Sequence, residues 1–254
     1  MKPLLPDERR SRLDSYDSGP TARGGGLYQA AVALTRVMLE AQERLGLGGH
    51  LVEIGVLEGR FSGLINHFRQ PDEILFAIDP YYGPAGEDHP AMASARDWLS
   101  RHPPGLEGVV FLRQDSATVT PNQLRIRKRG VRFVHVDGDH RLEPAYQDFR
   151  LAGQILERGG ILVVDDYYDR FSPGVAAALT KFMLLEGAWK FAPVASGGNK
   201  IFLTTSDHHW AYRKLLEEKT NFLAVRQHRD VDLYGHPCLM FDYQCPGMAT
   251  RIED

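Results

Sequence analysis

Cysteine is scarce in this 254-residue chain: Cys238 and Cys245 are too few for a disulfide framework and too far apart for a CxxC motif, which points to a reduced, intracellular setting. A surplus of basic charge is missing as well, with 30 Lys+Arg against 33 Asp+Glu and a formal net charge of -3. Nucleic-acid binding draws on basic groups that neutralise phosphates, so no nucleic-acid partner is expected. The longest basic cluster, Arg125-Ile126-Arg127-Lys128-Arg129, reads as a solvated helix end. No apolar run reaches signal-peptide length at the N-terminus or bilayer-spanning length elsewhere, so a soluble, cytoplasmic protein without a membrane partner is expected. Internal repeats and low-complexity segments are also lacking.

At 28.5 kDa the chain suits one α/β domain with appendages. Residues 1–26 are polar, carry Pro3, Pro6 and Pro20 and end in Gly24-Gly25-Gly26, which predicts a mobile arm, or lid, hinged on glycines. From residue 27 the pattern turns helical: Leu27, Ala30, Ala31, Leu34, Met38, Ala41 and Leu45 recur at helix spacing until Gly46. Strands at 50–54, 74–79, 109–113, 131–136 and 160–165 then alternate with helices at 60–69, 90–101, 121–127, 143–157 and 174–186, the pattern of a doubly wound parallel sheet. The series ends differently. Residues 190–194 and 200–204 flank a Gly-rich connection too short for a crossover helix, so they form an antiparallel hairpin. Residues 206–254 are expected to add a helix near 208–219 and an aromatic tail with Tyr234, Phe241 and Tyr243, which caps a pocket or builds a subunit contact in a homo-oligomer.

Two strand ends release carboxylates into loops: Val136-Asp137-Gly138-Asp139-His140 and Val163-Val164-Asp165-Asp166-Tyr167. In a parallel sheet such ends open onto one edge, so Asp137, Asp165 and Asp166 can converge. Clustered carboxylates repel unless something positive lies among them, and a divalent cation such as Mg²⁺, which takes oxygen ligands, meets that need. On the same edge, Leu51-Val52-Glu53-Ile54-Gly55-Val56-Leu57-Glu58-Gly59 runs from an apolar strand through a glycine turn into a helix. Gly55 and Gly59 let the backbone approach a ligand closely. The spacing departs from the GxGxxG pyrophosphate fingerprint, which disfavours a dinucleotide. The next strand ends in Asp79 and the third delivers Gln114-Asp115-Ser116.

A parallel sheet closed by one terminal hairpin, with an acidic-x-Gly-x-x-x-Gly loop, resembles the class I S-adenosylmethionine (SAM) dependent methyltransferases over about residues 50–205. That likeness implies a Rossmann-like, seven-stranded sheet in a methyltransferase domain spanning 27–205. It also implies SAM binding: Glu53, Gly55 and Gly59 at the methionine end, Ser62 donating to the cofactor carboxylate, Asp79 on the ribose, and Asp115 with Ser116 at the adenine.

The segments from Phe133 to His140 and from Gly159 to Tyr167 further resemble the divalent-metal-dependent methyltransferases that act on sugar hydroxyls of macrolides and aminocoumarins, in the group that includes cephalosporin-hydroxylase-like proteins. By that resemblance Asp137, Asp165 and Asp166 hold Mg²⁺. His140 takes the place of the base in one branch, while in another an acid serves, leaving Asp139 or Asp137. The chemistry is coherent: a hydroxyl with a high pKa needs a metal to acidify it and a base near neutrality to take its proton. The activity implied is methyl transfer to the hydroxyl of a small natural product, a sugar or polyketide-type acceptor. A metal-independent methyltransferase and a SAM-binding assembly subunit without turnover are the alternatives. His135 reads as a core group, the His208-His209 pair lacks metal-ligand spacing, and one tyrosine each of Tyr81-Tyr82 and Tyr167-Tyr168 is expected at the edge of the site.

Overall fold

The computed structural model describes residues 29–82, 89–124, 130–187, 189–219 and 227–242. The expected N-terminal arm, the basic cluster 125–129, Tyr243 and Cys245 lie outside the described residues. Helix α1 (Gln29–Arg44) is followed by β1 (His50–Ile54), α2 (Arg60–Asn66), β2 (Leu75–Ile78), α3 (Pro90–Arg101), β3 (Val109–Leu112), α4 (Pro121–Leu124), β4 (Val131–Val136), α5 (Leu142–Ile155), β5 (Leu156–Val164) and α6 (Pro173–Phe182). Strands β6 (Phe191–Gly197) and β7 (Lys200–Thr205), helix α7 (His209–Lys219), and strands β8 (Gln227–Leu233) and β9 (His236–Asp242) follow.

Strands β1 to β5 pair in parallel, β7 joins β5 antiparallel, and β6 pairs with β7. This is the α/β sheet the sequence predicts, including the hairpin. The turn between β6 and β7 is the two residues Gly198 (φ 60) and Asn199 (φ 68), both in the left-handed region that hairpin turns matching strand twist require. The sheet is wider than expected. Among the described residues its order is β3-β2-β1-β4-β5-β7-β6-β9-β8, nine strands rather than seven, because residues 227–242 form a second hairpin whose β9 runs parallel to β6. Short strands rich in charge, as in Gln227-His228-Arg229-Asp230-Val231-Asp232-Leu233, carry little apolar signal, and an edge strand needs little.

Alternation along each strand divides the core. Val52, Ile54, Val134, Val136, Leu162, Val164, Ile201 and Leu203 face α5 and α6, while Leu51, Phe133, Ile161, Val163 and Phe202 face α1, α2 and α7. Glu53, His135 and Lys200 therefore share the second face at the strands' site-bearing edge, a consequence of period two. The opposite edge carries a closed charge pair: Arg132, fully buried, is bidentate to Glu73 at 2.9 Å on each arm and donates to Gln42 and to the Phe68 carbonyl. Buried ions persist only when so compensated. Among the described residues no helix is long and apolar enough to cross a membrane.

Candidate active site

A cavity of about 1010 Å³ opens at the carboxyl ends of the parallel strands and is lined on one side by Glu53, Gly55 and Asp79 and on the other by Asp137, His140 and Asp166. Open α/β sheets bind ligands at this edge. Asp115, Ser116, Asp139 and Asp165 also reach it, whereas Gly59 and Ser62 do not line it.

Both glycines permit close packing within the protein, and Gly55 also lines the cavity. Gly55 has φ 84, and a Cβ there would stand 1.9 Å from the Asp137 carbonyl oxygen, so the ends of β1 and β4 approach too closely for any side chain. Gly59 has φ 74 at the start of α2, where a Cβ would meet Ala95 of α3 at 3.0 Å. Close approach was the expectation, and within the protein it is met by the Asp137 backbone at Gly55 and by α3 at Gly59. Asp79 holds the loop from below: its Oδ2 accepts the N–H of Val56 at 2.9 Å and of Leu57 at 3.0 Å, and its Oδ1 that of Tyr81 at 2.8 Å. Asp115 caps a short 3-10 turn, accepting the N–H of Ala117 at 2.9 Å. Ser62, expected to reach a cofactor carboxylate, is buried and donates to Glu53. Tyr82 lines the cavity and is 77 % exposed, while Tyr81 is buried; neither Tyr167 nor Tyr168 lines it.

Sequence reasoning missed Asp148. It is buried on α5 beneath Gly138, and burial pushes its carboxyl up to about 7 against a bond from Ser116. An inward acid among apolar helix positions reads as a break in the stripe, the one signal available for it.

On the other half the acids are brought together as expected, with a cation among them that the sequence reading did not anticipate. Lys200, only 1 % exposed, donates to Asp165 Oδ2 and lies 3.1 Å from His135 Nε2. It opens β7 immediately after the hairpin turn, and the pairing of Val164 with Ile201 sets it beside the end of β5. On the far side His135 Nδ1 is 3.2 Å from Glu53 Oε1, with the Phe61 ring stacked on the imidazole at 3.6 Å between centroids. Ser62, Glu53, His135, Lys200 and Asp165 thus form one buried chain across three strands and a helix. His135 is a core group, as expected, and a connecting one. Burial alone would raise the Asp165 carboxyl, but Lys200 and then His135 outweigh it and hold it below the usual carboxylate range.

Asp166 has φ 55, a left-handed backbone that asparagine and aspartate tolerate best, and its N–H donates to Asp165 Oδ1 at 2.8 Å. The twist sends the two neighbouring carboxylates apart: Asp165 toward Lys200, Asp166 toward Asn199 Nδ2 at 2.6 Å and His140 Nε2 at 3.0 Å. Asp137 Oδ1 lies 3.8 Å from the same Nε2. Burial pushes the Asp137 carboxyl up to about 6, and burial and then Asp165 raise Asp166. His140 is raised by the neighbouring carboxylates, Asp137 first, with partial burial opposing. Asp139 differs: it bonds Arg141 through both oxygens, and that pairing lowers its pKa, which makes it the weakest proton acceptor of the candidates.

Ser172 explains how His140 is oriented. Its Oγ donates to Asp169 Oδ2 at 2.7 Å and lies 3.0 Å from His140 Nδ1. A hydroxyl with its proton on a carboxylate is an acceptor toward the ring, so Nδ1 carries a hydrogen and Nε2, 3.0 Å from Asp166 Oδ2, is the nitrogen turned to the carboxylates of the cavity.

Among the described residues two groupings could hold a metal ion, each with ligand atoms within 4.8 Å of one another: His135 with Asp137 and Asp165, and Asp137 with His140 and Asp166. The first already contains the Lys200 ammonium. The second has crowded carboxylates with raised proton affinity and no fixed cation between them, and this donor set fits a hard divalent ion.

Known proteins agree with this architecture. The methyltransferase domain family matches residues 52–167. An uncharacterized protein of Acanthamoeba polyphaga mimivirus is 30% identical over 145 residues, 56% of this chain and 62% of its own length, so the chain spans less than two thirds of that relative. Among solved structures, CalS11, a TDP-rhamnose 3'-O-methyltransferase of calicheamicin biosynthesis, superposes with a TM-score of 0.54 at 18% identity, covering 80% of this chain and 97% of that one. The O-methyltransferase NovP gives 0.53 at 17% identity over 69% and 80% of the two chains. MycE of the mycinamycin pathway, solved with Mg, SAH and mycinamycin VI, gives 0.50 at 15% identity over 77% and 54%. Residues 52–167 thus match a methyltransferase domain, and the chain shares the fold of these solved O-methyltransferases.

Proposed function

We propose that the protein is a SAM-dependent, divalent-metal-assisted O-methyltransferase acting on a hydroxyl of a small natural product, with a sugar as the favoured acceptor. The observation that carries this reading is one cavity that joins the Asp79 and Asp115 edge to the Asp137, His140 and Asp166 cluster. In this reading SAM would be held by Gly55 and the loop that Asp79 organises, by Asp79 toward the ribose and by Asp115 and Ser116 toward the adenine; when bound it supplies an electrophilic methyl group. Asp137 and Asp166 would hold the ion, whose contribution is to acidify an acceptor hydroxyl. His140 accepts the hydroxyl proton at Nε2, Ser172 and Asp169 keep the opposite ring nitrogen protonated, and Asn199 fixes the Asp166 carboxylate. Fixing these groups before the acceptor arrives is what positions the oxygen for attack.

The experiment is transfer of labelled methyl from SAM to a panel of sugar nucleotides, including TDP-rhamnose, and glycosylated macrolides, with Mg²⁺ and with excess chelator. Transfer that needs the ion upholds the proposal. A second reading has a specific observation in its favour: Lys200 already neutralises Asp165, so the site holds one cation without metal. Transfer undiminished by chelator would establish that metal-independent alternative.

A further inference from the structure

We propose that Lys200 is a resident counter-cation that keeps Asp165 out of the divalent-ion shell, leaving Asp137 and Asp166 as the carboxylates that meet the ion; this rests on the metal-assisted reading above. Adjacent acids at the end of β5 would ordinarily act as a pair. Here both oxygens of Asp165 are engaged within the protein, Oδ1 by the N–H of Asp166 at 2.8 Å and Oδ2 by the Lys200 ammonium. A divalent ion on Oδ2 would face that ammonium across a single oxygen, in a site too dry to screen the repulsion.

Lys200 has no ready retreat. Its side chain is 1 % exposed, its Nζ lies 5.1 Å from the centre of the Phe61 ring, and moving it would take the donor from His135 Nε2. His135 in turn is fully buried and bonded to Glu53, whose other oxygen takes the Ser62 hydroxyl. A buried ammonium leaves such a position only if something else neutralises the carboxylate and satisfies the ring. The arrangement also divides labour between the two neighbouring acids. Asp165 ties the cavity floor to the Glu53 side through Lys200 and His135, and Asp166, turned by its left-handed backbone, faces the ion and His140. With one fewer protein ligand, the ion has more positions open to water and to the acceptor hydroxyl.

The test is titration of the full chain with Mn²⁺, the free ion being followed by electron paramagnetic resonance, for wild type, Lys200→Met and the double variant Lys200→Met with Asp165→Asn. Lys200→Met releases Asp165 as a ligand and should bind Mn²⁺ at least tenfold tighter. The double variant, which removes the ammonium and its carboxylate together and so keeps the test open if the single variant does not fold, should stay within threefold of wild type. Equal or weaker binding by Lys200→Met, or a tenfold loss in the double variant, would overturn the role of Lys200 while leaving the metal reading intact. Wild type that binds no Mn²⁺ would instead overturn the metal reading; Lys200→Met binding the ion in that case upholds the role of Lys200, and its failure to bind overturns both.

Discussion

The two sides of the cavity treat their carboxylates in opposite ways. On the β1–β3 side each acid is committed to the protein: Asp79 to three backbone N–H groups, Asp115 to one, Glu53 to Ser62 and His135. On the β4–β5 side Asp137 and Asp166 face His140 and each other's field, and both hold their protons more tightly than ordinary carboxylates. The difference separates a preformed frame, whose charges are balanced before any ligand arrives, from a reactive cluster that still calls for positive charge. Asp165 belongs by position to the second side and by chemistry to the first, because Lys200 has claimed it.

Substitutions should therefore fall into two groups that do not mix. The largest effect is expected for Asp166→Asn, which removes a charge from the cluster without touching the frame: methyl transfer should fall about a thousandfold while SAM affinity, measured by calorimetry, stays within threefold. A parallel loss of SAM binding would erase the division between the sides. His140→Ala should slow transfer about a hundredfold with the SAM dissociation constant unchanged, as expected for the loss of a general base; single-turnover rates check this.

Asp79→Ala should do the reverse. Removing an acceptor shared by three amides should weaken SAM binding by about 1–3 kcal/mol, with Mn²⁺ affinity retained. A variant with wild-type SAM affinity would take Asp79 out of the cofactor site.

Acid should separate the sides as well. The Asp137 carboxyl is raised in the folded state from 3.8 to about 6, so the ion-free protein binds more protons than the unfolded chain between those values, and this group's contribution makes stability fall as pH rises through the window. The carboxyl is 35 % exposed to the cavity, which holds the effect to about 1–2 kcal/mol. An ion binds the deprotonated form, so added Mg²⁺ should raise the melting temperature at pH 7.5 and much less at pH 5. Equal shifts at both values would mean that the ion binds elsewhere.

The smallest effect is expected from Tyr234→Phe. Its hydroxyl lies 3.1 Å from that of Tyr167 and 3.0 Å from Thr180, bracing the loop after β5 from the second hairpin, and its loss should cost about 0.5–1.5 kcal/mol in denaturant unfolding. SAM affinity should not change, since no frame residue is touched.

What the chain's order of residues determined alone is the framework. Period-two strands alternating with period-3.6 helices, glycines at 55 and 59, and acids at the ends of successive strands place Glu53, Asp79, Asp115, Asp137, Asp165 and Asp166 on one edge, because parallel strands all end there. The terminal hairpin was equally readable from a connection too short for a helix. Three things were left to the tertiary structure. The tail's strands β8 and β9 depend on the free edge of β6 for pairing, and little in their own polar sequence announces them. The orientation of His140 depends on Ser172 and Asp169, more than 25 residues away. Lys200 reads in sequence as one more polar residue beside a turn; only the register that sets Ile201 against Val164, and Glu53 against His135, buries its charge between Asp165 and the imidazole. Charges separated by 82 and 65 positions in the chain become a single buried network through strand pairing, and no local pattern of residues encodes a register of that range.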